Sequence, residues 1–221
     1  MSQKLFILNF HGIGSPRRTF WPMEESYWVE RRFFEAVLDH IKGRTDTLVT
    51  FDDCNASDVE AALPALQARG LKAHFYIVSD LLGKNGFLSV NDVRELHAAG
   101  MTIGNHGKLH RSWRGLAEWQ LREELVEARD RLENIISDKV SFAACPNGSY
   151  DRRVLKHLRK CSYQRVYTSD EGPTRCGSWL QARNSLLRTH DLDAVHRILR
   201  GTQLSWKGLL RICKRTIKRC R

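Results

Sequence analysis

Short apolar runs alternate along the chain with segments of helical period. Residues 5–8, 47–51, 72–78, 101–104, 140–143, 164–168 and 185–188 have the length and the β-branched or aromatic content of buried strands. Between them lie helical patterns. Ser57-Asp58-Val59-Glu60 has the form of a capping box, with Pro64 delaying or kinking the helix it opens. Ser89 caps a second helix that carries Val93 and Leu96 on one face, and Gly100 suits its C-terminal stop. From about residue 116 a longer stripe follows, through Leu121, Leu125, Ala128, Leu132 and Ile135. Residues 152–159 and 194–199 are the last helical patterns before the C-terminal stretch. Strand-then-helix repeated in this way predicts an α/β domain over residues 1–200, with a parallel sheet that is open or closed into a (β/α) barrel.

Composition narrows the class. A chain of 221 residues with 42% hydrophobic and 28% charged residues can bury a core, and it contains no apolar run long enough for a bilayer helix. This argues against a wholly disordered chain, a fibre and a polytopic membrane protein. The first ten residues lack the length and cleavage pattern of an export signal, so the expected location is cytoplasmic. The six cysteines form no C-x-x-C pair and are expected as free thiols. The net charge of +11 is concentrated at the C-terminus: Lys207, Arg211, Lys214, Arg215, Lys218, Arg219 and Arg221 occur without an acid, and without them it falls to +4. Residues 201–221 thus form an expected basic amphipathic tail. It is suited to peripheral contact with an anionic membrane at the inner face, or to packing on the domain. Nucleic acid is the less fitting partner, because no aromatic-interleaved basic groove accompanies the tail.

In parallel α/β folds chemistry gathers beyond the carboxyl ends of the strands. Three polar groups stand at such ends: Asp52-Asp53, His106 with His110, and Pro146-Asn147-Gly148. Adjacent buried carboxylates repel unless a cation or proton is shared. Two histidines four apart can bind one metal, and one carboxylate with two imidazoles leaves coordination positions open. Taken singly, the acids also read as a helix start and the histidines as a surface loop.

These residues carry a family resemblance. Thr50-Phe51-Asp52-Asp53 resembles the T-F-D-D motif of the polysaccharide deacetylase family (the NodB-homology, or carbohydrate esterase family 4, domain). Ile103-Gly104-Asn105-His106 with His110 resembles its second motif. The segment from Phe142 to Tyr150 resembles its third, and Phe10-His11-Gly12-Ile13 the Y-H-x-I start of some members. The resemblance implies a deformed (β/α) barrel and a metal-dependent hydrolase removing N-acetyl groups from an amino-sugar glycan or glycan precursor. It implies Asp52 as general base on a metal-bound water, and Asp53, His106 and His110 as ligands of zinc, with cobalt, nickel or manganese as alternatives. It further implies Pro146, Asn147, Gly148 and Ser149 as substrate-binding residues, and His190 of Leu187-Arg188-Thr189-His190 as catalytic acid.

Two departures stand out. Cys54 replaces a common Gly after T-F-D-D, and Ala144 or Ala143 stands where motif three usually carries an arginine that orients the base. Arg183 is a candidate substitute, against the alternative of a surface arginine. The missing arginine keeps a non-catalytic carbohydrate-binding protein open as the second reading, with an amidohydrolase for a non-sugar amide as the third. A cytoplasmic enzyme would meet a lipid-linked precursor rather than a finished extracellular polymer.

Overall fold

The structure is a computed structural model that describes residues 3–19, 23–201, 216 and 218. Its strands are β1 (Lys4–Phe10), β2 (Gly12–Ile13), β3 (Trp28–Val29), β4 (Thr47–Phe51), β5 (Ala73–Ile77), β6 (Thr102–Asn105), β7 (Phe142–Ala144), β8 (Arg165–Thr168), β9 (Thr174–Arg175), β10 (Leu180–Ala182) and β11 (Asn184–Ser185). Its helices are α1 (Arg31–Ile41), α2 (Leu63–Gln67), α3 (Val90–Ala98), α4 (Glu118–Arg122), α5 (Ala128–Ile136), α6 (Arg152–Lys160) and α7 (Leu192–Arg200). The main sheet runs β10-β8-β7-β6-β5-β4-β1-β11 with every neighbour parallel, and β9 joins β1 antiparallel. This is the nearly closed, deformed barrel that the family resemblance implies, and it agrees with the strand–helix alternation.

The closure is made by one stretch of chain. Residues 180–182 pair with β8 and residues 184–185 pair with β1, so the chain changes partner at Arg183. The Arg183 N–H still donates to the Thr168 carbonyl at 2.9 Å, while the Leu186 N–H donates to the Asn9 carbonyl at 2.8 Å. Arg183 therefore sits in the seam of the barrel.

Period-two alternation sorts the side chains into two layers. Phe6, Leu8, Phe10, Val49, Phe51, Phe75 and Ile77 belong to the large outer core, which also takes in helix residues such as Phe34, Leu38, Leu66 and Val195. The opposite faces of the same strands point into the barrel. Ile7, Tyr76, Ala144 and Tyr167 cluster there, and Thr50 donates to Asn9 at 2.6 Å. The polar members of this inner layer lie towards the carboxyl ends of β1 and β4, where the strands meet the site.

Some local expectations change. Helix α1, with Phe34, Val37, Leu38 and Ile41 buried, has no counterpart among the predicted elements. The Ser57 hydroxyl does not cap a helix; it accepts the Ile13 N–H at 3.2 Å, and a π-turn over Asp58–Ala62 leads into α2. Ser89 does cap α3, in a reciprocal box with Asp92. The strand expected over 185–188 begins one residue earlier and ends at Ser185, because its pairing with β1 is only two residues long. The basic tail over 201–221 lies outside the described residues except for Gly201, Thr216 and Lys218. Cys54, Cys145, Cys161 and Cys176 are free thiols. No helix among the described residues is long and apolar enough to cross a membrane.

One inner-layer residue gives the fold an acid-sensitive point. His74 stacks on Phe142 at 5.4 Å, and its Nδ1 lies 3.3 Å from the Tyr76 hydroxyl. Burial, reinforced by Arg165 and Arg183, pushes its pKa down from 6.5 to about 4. A lowered histidine favours the folded state fully above the unfolded pKa, and that contribution is lost as pH falls from 6.5 towards 4. At pH 4.5 the loss is about 2.5 kcal/mol on the scale of 1.36 kcal/mol per unit. Urea unfolding of wild type and His74→Gln at pH 7 and 4.5 checks this: the wild type should lose more stability over the interval. Equal losses would remove His74 as the cause.

Candidate active site

Successive strand residues point to opposite faces, so two adjacent carboxylates reach one cavity only if the chain leaves the extended conformation at once. It does so here. Asp53 and Cys54 follow β4 with φ of 74° and 50°. Left-handed backbone costs a non-glycine residue roughly 1–2 kcal/mol. Cys54, standing where a glycine is common, therefore occupies a conformation that glycine adopts freely and that a side chain strains. Its thiol is buried 3.6 Å from the Val78 carbonyl.

The turn brings Asp52 and Asp53 to a cavity of about 380 Å³ that His11, Glu24, Tyr27, His106, His110, Asn147 and Ser169 also line. One ligand atom each from Asp53, His106 and His110 lies within 4.8 Å of the others. Asp53 Oδ1 is 3.1 Å from His110 Nε2 and 3.4 Å from His106 Nε2. Donor atoms about 2.1 Å from a shared tetrahedral ion stand roughly 3.4 Å apart.

The hydrogen bonding tests the fit further. His106 Nδ1 is 2.8 Å from the Ala144 carbonyl, an acceptor only, so Nδ1 carries a proton and Nε2 is the ring nitrogen aimed at Asp53. Asp53 Oδ1 is buried without a hydrogen-bond partner among the described residues. A cation shared by Asp53 Oδ1 and the two Nε2 atoms would give that oxygen a partner. Burial raises the Asp53 carboxyl, but the facing imidazoles outweigh it and hold it well below the carboxylate range. His110 is raised, Asp53 outweighing burial. The three residues fit a divalent metal.

Asp52 is held differently. Arg183, fully buried, donates from Nη1 to Oδ1 and from Nη2 to Oδ2, both at 2.6 Å. Asn9 Nδ2 donates to Oδ2 at 3.1 Å. The Asn9 orientation is set in turn, since its Oδ1 accepts from Thr50 at 2.6 Å and from Arg183 at 2.8 Å. Burial pushes the Asp52 carboxyl up, and Arg183 and His106 more than offset this, so it lies below its ordinary value. Arg183 thus supplies the orienting guanidinium absent from motif three. It is no surface residue.

His11 also enters the cavity. It follows β1 in the inner phase set by Ile7 and Asn9, packs on Tyr27 at 4.6 Å, and places Nε2 4.0 Å from Asp52 Oδ2. Burial lowers its pKa, with Asp53 and Asp52 opposing the shift. The available signal was an imidazole two residues beyond Asn9, both in the inner phase of an apolar strand. The structure does not bring His190 to the cavity. His190 is half-buried, and its Nδ1 accepts the Leu187 N–H at 3.2 Å in a turn before α7.

The motif-three residues form a tight turn, Pro146–Gly148, in which Asn147 and Gly148 have φ of 55° and 58°. Gly148 and Ser149 spend their N–H groups on Cys145 and Pro146 carbonyls, both at 3.0 Å. Asn147 lines the cavity, whereas Pro146, Gly148 and Ser149 are not among its lining residues. Lys218 reaches this turn, with Nζ 3.0 Å from the Gly148 carbonyl and 2.9 Å from Asp170 Oδ1.

The chain is similar to several known proteins. The protein YxkH of Bacillus subtilis (strain 168) is 24% identical over 183 residues, which cover 76% of this chain and 66% of YxkH. The chain spans 41–66% of the length of the curated relatives it matches. Among solved structures, the Streptococcus pyogenes deacetylase PplD in complex with acetate superposes with a TM-score of 0.79 at 19% identity, covering 90% of this chain and 99% of that one. BC0361, a polysaccharide deacetylase from Bacillus cereus, gives 0.79 at 21% identity, covering 90% and 69%. Likeness at such identity concerns the fold. The sequence profile of the polysaccharide deacetylase family matches residues 41–166, more than half of the chain and the whole stretch from T-F-D-D to the third motif, and the chain belongs to that family.

Proposed function

We propose that this protein is a metal-dependent hydrolase that removes N-acetyl groups from amino-sugar residues of a glycan or glycan precursor. The observation that carries the reading is the pairing of two differently held carboxylates in one cavity: Asp53 faces two imidazoles, and Asp52 is clamped by Arg183. Environments that separate neighbouring carboxylates assign them separate roles. Asp53, His106 and His110 would hold the metal, zinc being the ion best suited to one carboxylate and two imidazoles, with cobalt, nickel or manganese as alternatives. Such an ion, when bound, supplies a Lewis acid that activates water and polarises an acyl oxygen.

The chain's own residues do the rest. Asp52 stays anionic because Arg183 and Asn9 favour its charged form, and it takes a proton from the attacking water. His11 rests neutral, so it serves as a relay rather than a stored acid: it accepts the proton from Asp52 and passes it to the departing amine nitrogen. The C–N bond breaks, and acetate and a free amino sugar leave. Within the turn of residues 146–149, the Asn147 amide is the candidate donor to the developing oxyanion, since the next two amides are engaged. Asn147 is accordingly the substrate contact of that turn. Arg183, standing in for the absent motif-three arginine, supports the catalytic reading over a non-catalytic one.

The direct test is acetate release from N-acetylated glucosamine oligosaccharides by metal-loaded protein, beside metal content of wild type, Asp53→Ala and His106→Ala. Both variants should lose the ion and the activity; unchanged metal content in both would refute the site. His11→Ala should lose about 10²–10⁴-fold on the amide, the usual worth of a placed proton donor. It should lose far less on 4-nitrophenyl acetate, whose leaving group needs no proton. Equal losses on both substrates would deny His11 the relay role. The inner-membrane precursor inferred from the tail is a separate proposal, tested by vesicle flotation with and without residues 206–221.

A further inference from the structure

The two histidines of the proposed metal site are joined by only three residues, 107–109, in a conformation that does not hold itself. Gly107 has φ of 89° and His110 has φ of 58°. No regular element runs through the loop. The Ser79 and Asp80 N–H groups hold its Gly107 and Lys108 carbonyls, both at 3.0 Å, and its Lys108 and Leu109 N–H groups turn to Glu124, a carboxylate with no exposed surface.

Glu124 lies in a π-turn, Glu123–Glu127, between α4 and α5. Such bulges insert a residue into a helix and re-aim its side chains, often at functional sites. Here the Lys108 N–H donates to Glu124 Oε2 at 2.7 Å. The Leu109 N–H approaches both carboxylate oxygens at 3.3 and 3.4 Å. Asn105 links loop and turn from behind. Its Nδ2 donates to the Glu124 carbonyl at 2.9 Å and to the Tyr163 hydroxyl at 2.8 Å, while its Oδ1 accepts the Gly107 N–H at 2.8 Å. The Tyr163 hydroxyl donates to the Leu125 carbonyl at 2.7 Å. The loop is pressed so closely onto the carboxylate that a Cβ on Gly107 would stand 2.2 Å from Glu124 Oε2.

A surface glutamate could satisfy Lys108, and Glu123 does so through the Lys108 ammonium at 3.1 Å. Glu124 instead carries a buried carboxylate that accepts the backbone N–H groups of Lys108 and Leu109, between the two imidazoles. Burial of that kind is costly unless the group is fully used. We propose that Glu124 is a positioning residue for the metal site: its carboxylate sets the separation and aim of His106 and His110, and thereby the affinity of the Asp53–His106–His110 set for a divalent cation. The proposal rests on that set being the metal site. Groups behind ligands typically change metal affinity by about 10–100-fold.

The test uses full-length protein stripped with a chelator and titrated with Co²⁺, followed by the visible absorption of the bound ion. Glu124→Gln replaces one acceptor oxygen with a donor against amide N–H groups, and its Kd should rise about 10–100-fold. Glu123→Gln should stay within about twofold of wild type, since that carboxylate meets the side chains of Lys108 and Arg111 and takes no backbone N–H of the loop. Gly107→Ala, which intrudes on the carboxylate from the loop side, should reproduce the rise and serves if Glu124→Gln does not fold. Thermal unfolding of the metal-free proteins separates the two kinds of role. A lowered Tm at unchanged Co²⁺ Kd would make Glu124 merely structural and overturn the proposal. Wild-type Kd retained in Glu124→Gln and Gly107→Ala would do the same. Failure of the wild type itself to bind Co²⁺ would instead sink the metal site on which the proposal rests.

Discussion

Asp52→Asn should keep its metal and lose turnover by about 10²–10⁴-fold, the range expected for removal of a placed general base. The side chain changes little in shape, and the three residues facing the ion are untouched. What changes is basicity: an amide cannot take the proton that Asp52 is proposed to receive. The same substitution leaves the Arg183 guanidinium buried opposite a neutral group, so the variant should also lose stability. Metal stoichiometry, kcat and a urea midpoint, measured together on one preparation, check the prediction. A variant that retains kcat within tenfold would remove Asp52 from the proton path, and one that loses its metal would mean that the two carboxylates are not separate in role.

Arg183→Met should be the most destabilising single change in the barrel seam. Arg183 is fully buried and meets both oxygens of a carboxylate that is itself 2% exposed. Removing one partner of a buried pair costs about 3–5 kcal/mol, because the remaining charge is left desolvated. Methionine fills most of the volume and so isolates the charge effect from a cavity. Activity should fall as well, since Asp52 would keep Asn9 but lose its two shortest hydrogen bonds. Arg183→Lys should recover only part of both, because an ammonium cannot match a two-pronged fork. The double variant Asp52→Asn/Arg183→Met should be more stable than the sum of the singles predicts, by a coupling of a few kcal/mol. Additive losses in that cycle would show that the pair does not act as a unit.

The features legible along the chain are those written in local pattern. The strands that carry the site were readable because each is a short apolar run that stops at a polar cluster: Thr47–Phe51 before Asp52, Thr102–Asn105 before His106, and Phe142–Ala144 before Pro146. The motif spacing singled out the proposed ligand set for the same reason, since Asp53 and His106 lie within two residues of their strand ends and His110 follows in the same loop. Other contacts lay outside that pattern. Arg183 sits in a short polar stretch, Gln181-Ala182-Arg183-Asn184, that is indistinguishable from a surface turn until the barrel closes around it. Glu124 occupies a helical stripe of mixed charges, and only the π-turn reveals that it faces inward. His190 matched a four-letter string, whereas His11 had position without a decisive motif.

Sequence by itself determined the family, the (β/α) alternation, and the grouping of Asp52, Asp53, His106 and His110 as a candidate site, because hydrophobic period and motif spacing are local quantities. Tertiary structure decided which groups complete them. Arg183 is 131 residues from Asp52, and the cavity brings His11 to the base while leaving His190 outside it. Those assignments depend on where a curved sheet meets its own edge, and no local periodicity encodes that meeting.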